Sequence, residues 1–360
     1  MMQDAPRILL IGAGHAHLVA LPDIRRRLPD AQITLIDPSP FAAYSGMLPG
    51  VVAGHYEPDQ ARFDLSLIAR QHGVRLVTGR VDGLDPKSRQ ATTTAGRMGF
   101  GIASIDIGIQ GDLRQIPGFA EHGVAVKPLS RFAERWTQFL QNPGPVTIIG
   151  GGVAGVELAL AAAHCIGPHV TLIEKGPRVV PELPSAPRRL LLELLAERGV
   201  TVHIKSTVAC ILPEDVILAD RTRIASDLTI AAAGGQPAPW LARCLPCDPQ
   251  GHANVGADLQ VTDCPGIFAV GDCAVILDAL RPKAGVHAVR QGPVLARNIA
   301  AVAQGKATVP HKPQKHHLKI VSLGGKSGLA IWRGAHVAGP WVWRWKDRID
   351  RRFMARTGRY

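Results

Sequence analysis

The chain has 360 residues, of which 46% are hydrophobic, and it carries a formal net charge of +12. This length and hydrophobic content suffice for two domains and a tail, as expected of a soluble, well-cored enzyme. The most hydrophobic stretch, residues 146–166, contains four glycines and Glu157. This content favours a buried strand, turn and helix over a membrane span.

The first predicted element is a buried strand over residues 7–11 that turns into a helix through a glycine-rich loop. No cleavable signal precedes it, so we expect a cytoplasmic protein. Gly12 permits the tight turn, and Gly14 lets backbone N–H groups approach a phosphate at the positive end of the helix. The next strand ends at Asp37, 25 residues after Gly12. An acid at an interval of about 20 residues is typical of hydrogen bonding to a ribose.

The same unit recurs 138 residues later. Gly150 and Gly152 follow an apolar strand, and Glu174 ends the next strand 24 residues after Gly150. Gly155 supplies the third glycine of this loop, whereas His17 occupies that position in the first loop. There we expect the His17 side chain to crowd the helix against its strand. The repeat predicts a protein that holds two dinucleotides.

A strand ending in Gly271-Asp272 follows, and the segment 262–272 resembles the second flavin-binding sequence of two-dinucleotide flavoproteins. The resemblance implies that Asp272 bonds the ribityl chain of FAD, that the first loop binds FAD, and that the second binds NAD(P)H. Residues 104–108 and 231–235 stand where that family has its crossover glycines. The residues expected to contact the cofactors are Gly12, Gly14, His15, Asp37, Val81, Gly108, Gly271, Asp272, Gly150, Gly152, Val153, Ala154, Gly155, Glu174 and Gly234.

We therefore predict an α/β fold with two Rossmann-like domains, the NAD(P) domain being inserted into the FAD domain. The predicted parts are residues 1–122 and 241–305 for FAD, residues 123–240 for NAD(P), and a basic, Trp-rich segment at 306–360.

Cysteine usage separates the chain from flavoproteins that pass electrons through a disulfide. The first cysteine, Cys165, lies inside the second predicted helix. The segment 41–54 resembles the flavin-adjacent segment of NADH oxidases and peroxidases, but it has Ser45 where those families place a redox cysteine. Cys244 and Cys247 form the single CxxC pair, whose redox or metal role stays open, and we predict no metal site.

The segment 281–298 is similar to the one that follows Gly-Asp in type II NADH dehydrogenases. There a Gln-Gly pair borders the flavin ring and the quinone pocket, which corresponds to Gln291 and Gly292; alternatively Gln291 begins a core helix. Lys283 is expected to set positive charge near the flavin N1–C2=O edge. Four motifs carry a closer resemblance: Gly-His-Ala-His, Tyr-Ser-Gly-Met-Leu-Pro-Gly, Arg-Pro-Lys-Ala-Gly-Val and the terminal Trp-Arg-Trp. In these motifs the chain resembles pyridine nucleotide-disulfide oxidoreductases associated with selenophosphate synthetase.

This resemblance implies hydride transfer from NAD(P)H to FAD and electron transfer to a quinone or similar acceptor. Glu157 is expected near the nicotinamide side of the flavin. Glu174 favours NADH because a carboxylate repels a 2′-phosphate, while Lys175 and Arg178 leave NADPH open. Two alternatives remain: a sulfur- or selenium-linked acceptor, and a flavin-bearing docking module without turnover.

The basic excess lies in the tail, since residues 306–360 contain 13 Lys/Arg and 2 Asp/Glu, whereas residues 1–305 contain 28 and 27. Trp341, Trp345, Ile349 and Phe353 recur at i+4 and predict one helical stripe, with most cations off it. Such a helix suits an anionic membrane surface, placing the protein on the inner face of the cytoplasmic membrane, or a partner such as selenophosphate synthetase or a second copy. Alternatively the stripe packs inside the molecule. No nucleic-acid module accompanies the basic tail.

Overall fold

The computed structural model describes residues 5–111, 113, 115–126, 129–233 and 235–358. The strands are, in chain order, β1 (Arg7–Ile11), β2 (Gln32–Asp37), β3 (Phe41–Ala43), β4 (Arg62–Asp64), β5 (Arg75–Thr78), β6 (Val81–Asp85), β7 (Gln90–Thr93), β8 (Gly96–Gly99), β9 (Ile102–Ile105), β10 (Gln110–Gly111), β11 (Gly123–Ala125), β12 (Val146–Ile149), β13 (Val170–Ile173), β14 (Thr201–His203), β15 (Val208–Ile211), β16 (Asp215–Leu218), β17 (Arg223–Ala225), β18 (Leu228–Ala231), β19 (Gly235–Gln236), β20 (Ala253–Val255), β21 (Ile267–Ala269), β22 (Ala274–Ile276), β23 (Lys319–Ser322), β24 (Gly328–Trp332) and β25 (Ala335–Gly339). The helices are α1 (His15–Arg27), α2 (Leu48–Val52), α3 (Leu65–Gln71), α4 (Phe119–His122), α5 (Leu129–Phe139), α6 (Val153–Ile166), α7 (Ser185–Glu197), α8 (Trp240–Cys244), α9 (Gly285–Ala303) and α10 (Pro340–Gly358).

The first parallel sheet has the strand order β21-β9-β1-β2-β5. Ile8 to Ile11 of β1 are all buried, which is why this strand reads as an unbroken apolar run with helices on both faces. β1 pairs with β2 on one side and with β9 on the other, so the direction of the connections reverses beside β1. Such a reversal opens a crevice at the carboxyl ends of the strands, where α/β proteins bind ligands.

The second parallel sheet has the strand order β11-β18-β12-β13-β14. Its strands β18-β12-β13-β14 repeat the order β9-β1-β2-β5 of the first sheet, but its outer strand β11 comes before them in the chain, whereas β21 comes after. β12 is buried throughout and lies between β13 and β18, so the connections reverse beside β12 as they do beside β1. The hydrophobic stretch 146–166 forms β12, a turn and α6, which is the predicted strand, turn and helix. In the described part of the chain no helix combines the length and apolarity that a bilayer crossing requires. The two repeated sheets confirm the predicted α/β fold class.

Smaller antiparallel sheets flank the two parallel ones. They are β6-β7-β8, β15-β16-β17 and β23-β24-β25. β11 to β18 all lie between β9 and β21 in the chain, although β9 and β21 are neighbours in the first sheet. The chain therefore leaves the first sheet after β9, forms the second sheet and returns to the first at β21. The outgoing segment β10 and the returning segment β19 pair with each other.

The C-terminal segment folds onto this core as the sheet β23-β24-β25 followed by α10. Val342 and Asp350 of α10 are buried, while Trp341, Trp345 and Ile349 are about half exposed. Phe353 departs from the predicted stripe, since it packs against Tyr44, Phe63 and the first-loop helix. The reason is geometric: each step of four residues advances about 40° beyond a full turn, so three steps carry Phe353 to the inner face.

Candidate functional site

The first glycine-rich loop sits at the crevice beside β1. Gly12 has φ +86°, and a Cβ there would lie 2.5 Å from the carbonyl oxygen of Asp106, so glycine is required for both reasons. Asp37 is fixed at the end of β2: Oδ2 accepts the Ala13 N–H at 2.9 Å and Oδ1 accepts the Ser39 N–H at 3.0 Å. The loop, the carboxylate and the start of α1 form the arrangement predicted for a dinucleotide.

His17 does not crowd the helix as we expected. Its imidazole is 1% exposed and contacts the Gly12 carbonyl oxygen through Nδ1 at 2.6 Å and the Ser104 hydroxyl through Nε2 at 2.8 Å. Burial lowers the pKa of His17 to about 4, so the ring is neutral at physiological pH. A neutral ring that satisfies two buried groups replaces the close glycine contact of the usual motif.

Asp106 is a residue of this site that the sequence analysis missed. It is buried, and its Oδ2 accepts the N–H of His17 in the first turn of α1 at 3.0 Å. A Cβ at Gly14 or at Gly271 would lie 2.2 Å and 2.6 Å from atoms of its carboxyl group. The signal was available, because an acid directly follows the wholly buried strand β9.

The Gly271-Asp272 turn follows β21 of the same sheet. Gly271 donates its N–H to Oε1 of Gln291 at 2.7 Å, and Gln291 is buried near the middle of α9 rather than at its start. Lys283 donates from Nζ to the Ala274 carbonyl at 2.6 Å, and burial lowers its pKa. One cavity is lined by all four of Gly271, Asp272, Lys283 and Gln291.

The remaining first-half candidates are spread around this crevice. His15 begins α1 and its ring stacks on Phe353 with centroids 5.8 Å apart. Ser45 is exposed in a 3₁₀ turn beside Tyr44. Gly108 has φ +61° just beyond β9, and Val81 is buried at the start of β6 within the core of the first sheet.

The second glycine-rich loop sits in the same place on the second sheet. Gly150 has φ +117°, and a Cβ there would lie 2.6 Å from the Ala233 Cβ. Gly155 is more constrained, because its Cβ would lie 1.8 Å from the Gly150 carbonyl oxygen. Glu174 accepts the N–H groups of Gly151 at 2.7 Å and Gly176 at 2.6 Å. Gly152 leads into Val153 and Ala154, which begin α6; Gly234 lies outside the described residues.

Glu157 lies one turn further along α6, and the residue is partly buried. Oε1 accepts the Ser322 N–H of β23 at 2.7 Å. Burial raises the pKa of Glu157 to about 7, although the nearby Lys346 ammonium opposes that shift. A pKa near neutrality suits a group that takes up and releases a proton during a reaction.

A polar network joins α10 to the Ser45 turn, and its Lys346 ammonium is the cation that acts on Glu157. Lys346 donates to Oδ2 of Asp350 at 2.6 Å and to the Gly46 carbonyl oxygen, and the Tyr44 hydroxyl donates to Oδ1 of Asp350 at 2.9 Å. The Lys346 and Asp350 side chains are 14% and 5% exposed, so this ion pair is largely desolvated. Sequence reasoning left docking and packing inside the molecule open for α10, and it did not identify these contacts, which depend on how the tail folds back.

Cys247 and Cys273 lie in surroundings that disfavour the thiolate, and Cys244 accepts a backbone hydrogen bond. Cys244 accepts the Leu84 N–H at 3.4 Å, and burial raises the pKa of Cys247 to about 11. Cys273 donates its S–H to the Val270 carbonyl at 3.2 Å, and burial raises its pKa to about 12. These two thiols are protonated at neutral pH and are poor nucleophiles.

Both crevices suit anionic dinucleotides, because each combines a glycine turn, a helix N-terminus and a strand-end carboxylate. The family model described as pyridine nucleotide-disulphide oxidoreductase matches residues 6–292. The chain is also 22% identical to a type II NADH:quinone oxidoreductase of Staphylococcus aureus, over 99% of this chain and 97% of that protein.

Solved structures share the fold. A sulfide:quinone oxidoreductase from Aquifex aeolicus superposes with a TM-score of 0.80 at 18% identity, covering 98% of this chain and 91% of that one. NDH2 from Plasmodium falciparum in complex with NADH gives 0.79 at 14% identity, covering 99% of both chains. A water-forming NADH oxidase from Lactobacillus brevis bound to NADH gives 0.78 at 20% identity, covering 91% and 75%.

Proposed function

The chain belongs to the pyridine nucleotide-disulphide oxidoreductase family, and we propose that it is an FAD-dependent NAD(P)H oxidoreductase that delivers electrons to a quinone. The observation that carries this proposal is the repetition of one site on two sheets that share the order of four strands. Each copy has its glycine turn and its carboxylate at the point where the connections reverse. An enzyme that transfers a hydride between two dinucleotides needs two such sites.

FAD is assigned to the first crevice, with Gly12, Gly14 and His15 at the pyrophosphate and Asp37 at the adenine ribose. Asp272 is assigned to the ribityl chain, which its position after β21 supports. Bound FAD would accept a hydride and release electrons one or two at a time. Gly108 and Val81 are assigned to its periphery, and Lys283 to its N1–C2=O edge.

NADH is assigned to the second crevice, with Gly150, Gly152, Gly155, Val153 and Ala154 at its pyrophosphate. Glu174 is assigned to the adenine ribose, and its tie to two backbone N–H groups keeps the carboxylate at the strand end. A carboxylate so fixed repels a 2′-phosphate, which favours NADH, while Lys175 and Arg178 leave NADPH as a poorer substrate. Gly234 is assigned to the nicotinamide side.

Glu157 is assigned to proton transfer, because NADH supplies a hydride whereas reduction of a quinone to a quinol also needs a proton from the protein or solvent. A carboxyl group with a pKa of about 7 holds that proton on Oε1 or Oε2 near neutral pH. Burial raises this pKa most, and from α10 the Lys346 ammonium lowers it while the Asp350 carboxylate raises it. Ser45 and Gln291 are assigned to the flavin ring and the acceptor pocket.

A quinone is favoured over a sulfur- or selenium-linked acceptor by the state of the thiols. All six cysteines are free, and burial raises the pKa of Cys247 and Cys273, which disfavours the thiolates that electron transfer through a disulfide needs. We also propose that the chain belongs to the branch of the family associated with selenophosphate synthetase, on the basis of the motifs described in the sequence. Selenophosphate synthetase is then a candidate partner. Retention of purified selenophosphate synthetase on the immobilised chain tests it.

The division into residues 1–122 and 241–305 for FAD and 123–240 for NAD(P) is proposed on the same grounds. We propose further that residues 341–354 dock on an anionic membrane surface. Trp341, Trp345 and Ile349 are about half exposed on the outer face of α10, and Arg344, Arg348 and Arg352 are exposed near them. A homodimer through the same face is the competing outcome, and light scattering with and without anionic vesicles distinguishes the two.

The function is tested by anaerobic titration of the purified flavoprotein with NADH and then with acceptors. We expect NADH to bleach the flavin absorbance, and a short-chain ubiquinone to restore it faster than oxygen does. No bleaching by NADH or NADPH contradicts oxidoreductase activity and supports a docking module. Bleaching followed by restoration only with polysulfide or selenium species contradicts the quinone assignment alone.

A further inference from the structure

A carboxylate from elsewhere in the chain reaches the N-terminus of α6. Val153, the first residue of this helix, donates its backbone N–H to Oε1 of Glu182 at 3.2 Å. A phosphate bound at a helix N-terminus uses such N–H groups. The Glu182 carboxylate therefore accepts a hydrogen bond from the kind of backbone N–H group that the pyrophosphate of NADH would use.

The segment 176–184, here called the strap, holds Glu182 in this position. Val180 donates its N–H to the Gly151 carbonyl of the glycine loop at 2.6 Å, and Leu183 donates its N–H back to Val180 at 3.0 Å. Val179 and Val180 are buried at 1% and 0% exposure, whereas Glu182 is exposed. The strap is thus anchored on the loop by its valines and carries the carboxylate at its outer edge.

The backbone of the strap supports a specific role rather than a chance contact. Val180 has φ +39°, a conformation that a β-branched residue adopts only where its surroundings enforce it. This conformation turns the chain back over Gly151, and Glu182 follows two residues later. The side chain of Glu182 is in water, so it can leave the helix terminus without breaking the buried anchor.

We infer that Glu182 is a built-in competitor of the dinucleotide pyrophosphate, which must displace it from the N-terminus of α6, and that it thereby sets the affinity for NADH. This inference rests on the proposed function, because it assigns the second loop to NADH. One negative charge competes with a ligand that carries two, and the exchange weakens binding without altering the site for hydride transfer.

The test is equilibrium binding of ADP-ribose to the purified flavoprotein, together with the KM and kcat for NADH. E182Q and E182A should bind ADP-ribose about fivefold more tightly, the upper end of what one charge at a helix terminus contributes. The KM for NADH should fall by the same factor while kcat stays unchanged. The gain should shrink at high salt, since an exposed charge is screened.

Two controls match the change. E193Q removes one negative charge from an exposed position on α7 of the same region, and it should leave ADP-ribose binding unchanged. Adenosine, which lacks the pyrophosphate, should bind all variants alike. Equal or weaker binding of ADP-ribose by E182A contradicts the inference and makes Glu182 a helix cap. If wild type and variants alike fail to bind ADP-ribose and NADH, the assignment of the second loop fails and the inference fails with it.

Discussion

The two glycine-rich loops have the same strand order around them but are closed in opposite ways. In the first, the third position is the buried His17 imidazole, and the buried Asp106 carboxylate bonds the helix N-terminus. In the second, the third position is Gly155 with no room for a Cβ, and the exposed Glu182 carboxylate bonds the helix N-terminus. The Asp106 carboxylate is a buried part of the first site, whereas the Glu182 carboxylate lies in water and can be displaced by a ligand.

The difference continues along the two helices. Seven residues after the first glycine, α1 has Val19, which packs against Gly292 of α9. The equivalent position in α6 is Glu157, which accepts the Ser322 N–H of β23. One helix is therefore sealed by apolar packing, while the other presents a titratable group. The repeated fold supplies two similar crevices, and a few side chains give them different roles.

The largest effect is expected from Gly155→Ala. The new Cβ would lie 1.8 Å from the Gly150 carbonyl, so the turn and the start of α6 must separate. We expect flavin content to be retained and the rate of flavin reduction by NADH, followed by anaerobic stopped flow, to fall on the order of 100-fold.

Gly152→Ala is the matched control for the fold, because a Cβ there meets nothing within 4 Å. It should leave the melting temperature unchanged and raise the KM for NADH, since only the bound pyrophosphate would meet the methyl group. Normal NADH reduction in Gly155→Ala would show that the second loop does not bind the dinucleotide.

Replacing His17 by glycine restores the usual three-glycine motif, yet we expect it to be harmful. The Gly12 carbonyl and the Ser104 hydroxyl lose their buried partner, and a cavity replaces the ring, at a cost of about 3 kcal/mol in the free energy of unfolding. Denaturant unfolding and the flavin-to-protein ratio measure this. A variant that is more stable and holds FAD more tightly would mean that the imidazole only fills space.

His17 also predicts a pH dependence of stability. Its pKa is about 4 in the folded protein, below the ordinary value of 6.5, so the unfolded chain binds the proton more readily. The stability that neutral His17 contributes is present above pH 6.5 and is lost as pH falls toward 4. His17→Gln should retain most of the stability and lack this component of the pH dependence.

A smaller effect is expected from the groups around Glu157. Its pKa of about 7 implies that quinone turnover declines as pH rises through neutrality, because the proton leaves the carboxyl group. Lys346→Met removes the cation that opposes the upward shift, so the inflection should move to higher pH. Asp350→Asn removes an anion that raises the pKa, so the inflection should move to lower pH. At pH 7 turnover should change by only about threefold.

The pH profile of kcat with a soluble quinone distinguishes this account from a structural role. Glu157→Gln should abolish the inflection itself. If Lys346→Met and Asp350→Asn shifted the inflection in the same direction, the charges of these two residues would not control the pKa of the proton donor.

The smallest effect on turnover is expected on the outer face of α10, which contacts neither loop. Replacing Trp341 and Trp345 by alanine should leave flavin content and NADH reduction unchanged. Sedimentation with anionic vesicles should show weaker binding, because two indoles no longer enter the headgroup region. Unchanged sedimentation would move the membrane contact away from this helix.

Local patterns in the sequence were sufficient to predict the two sheets. β1 and β12 are short apolar runs directly followed by glycines, and the acids Asp37 and Glu174 occur at matching intervals. Such signals depend on neighbouring residues, so they survive without knowledge of the fold. The conformations of Gly12 and Gly150 followed from the same motif.

The contacts that distinguish the loops could not be predicted this way, because their partners lie far apart in the chain. Asp106 reaches His17 across 89 residues, and Lys346 reaches Gly46 across 300. Spacing placed Phe353 on one stripe with Trp341, Trp345 and Ile349, but in the structure Phe353 packs inward while the other three are about half exposed. Glu182 carried no motif, and its role depends on the backbone of Val180.

The central claim is that the first loop holds FAD and the second binds NADH. It is tested most directly by one matched pair, Gly12→Ala and Gly150→Ala, since both glycines have positive φ and a Cβ at either would lie within 2.6 Å of a neighbouring atom. Flavin content and anaerobic NADH reduction are measured on both proteins. We predict that Gly12→Ala loses FAD, while Gly150→Ala keeps FAD but is not reduced by NADH. Loss of FAD from Gly150→Ala with full retention in Gly12→Ala would contradict the assignment.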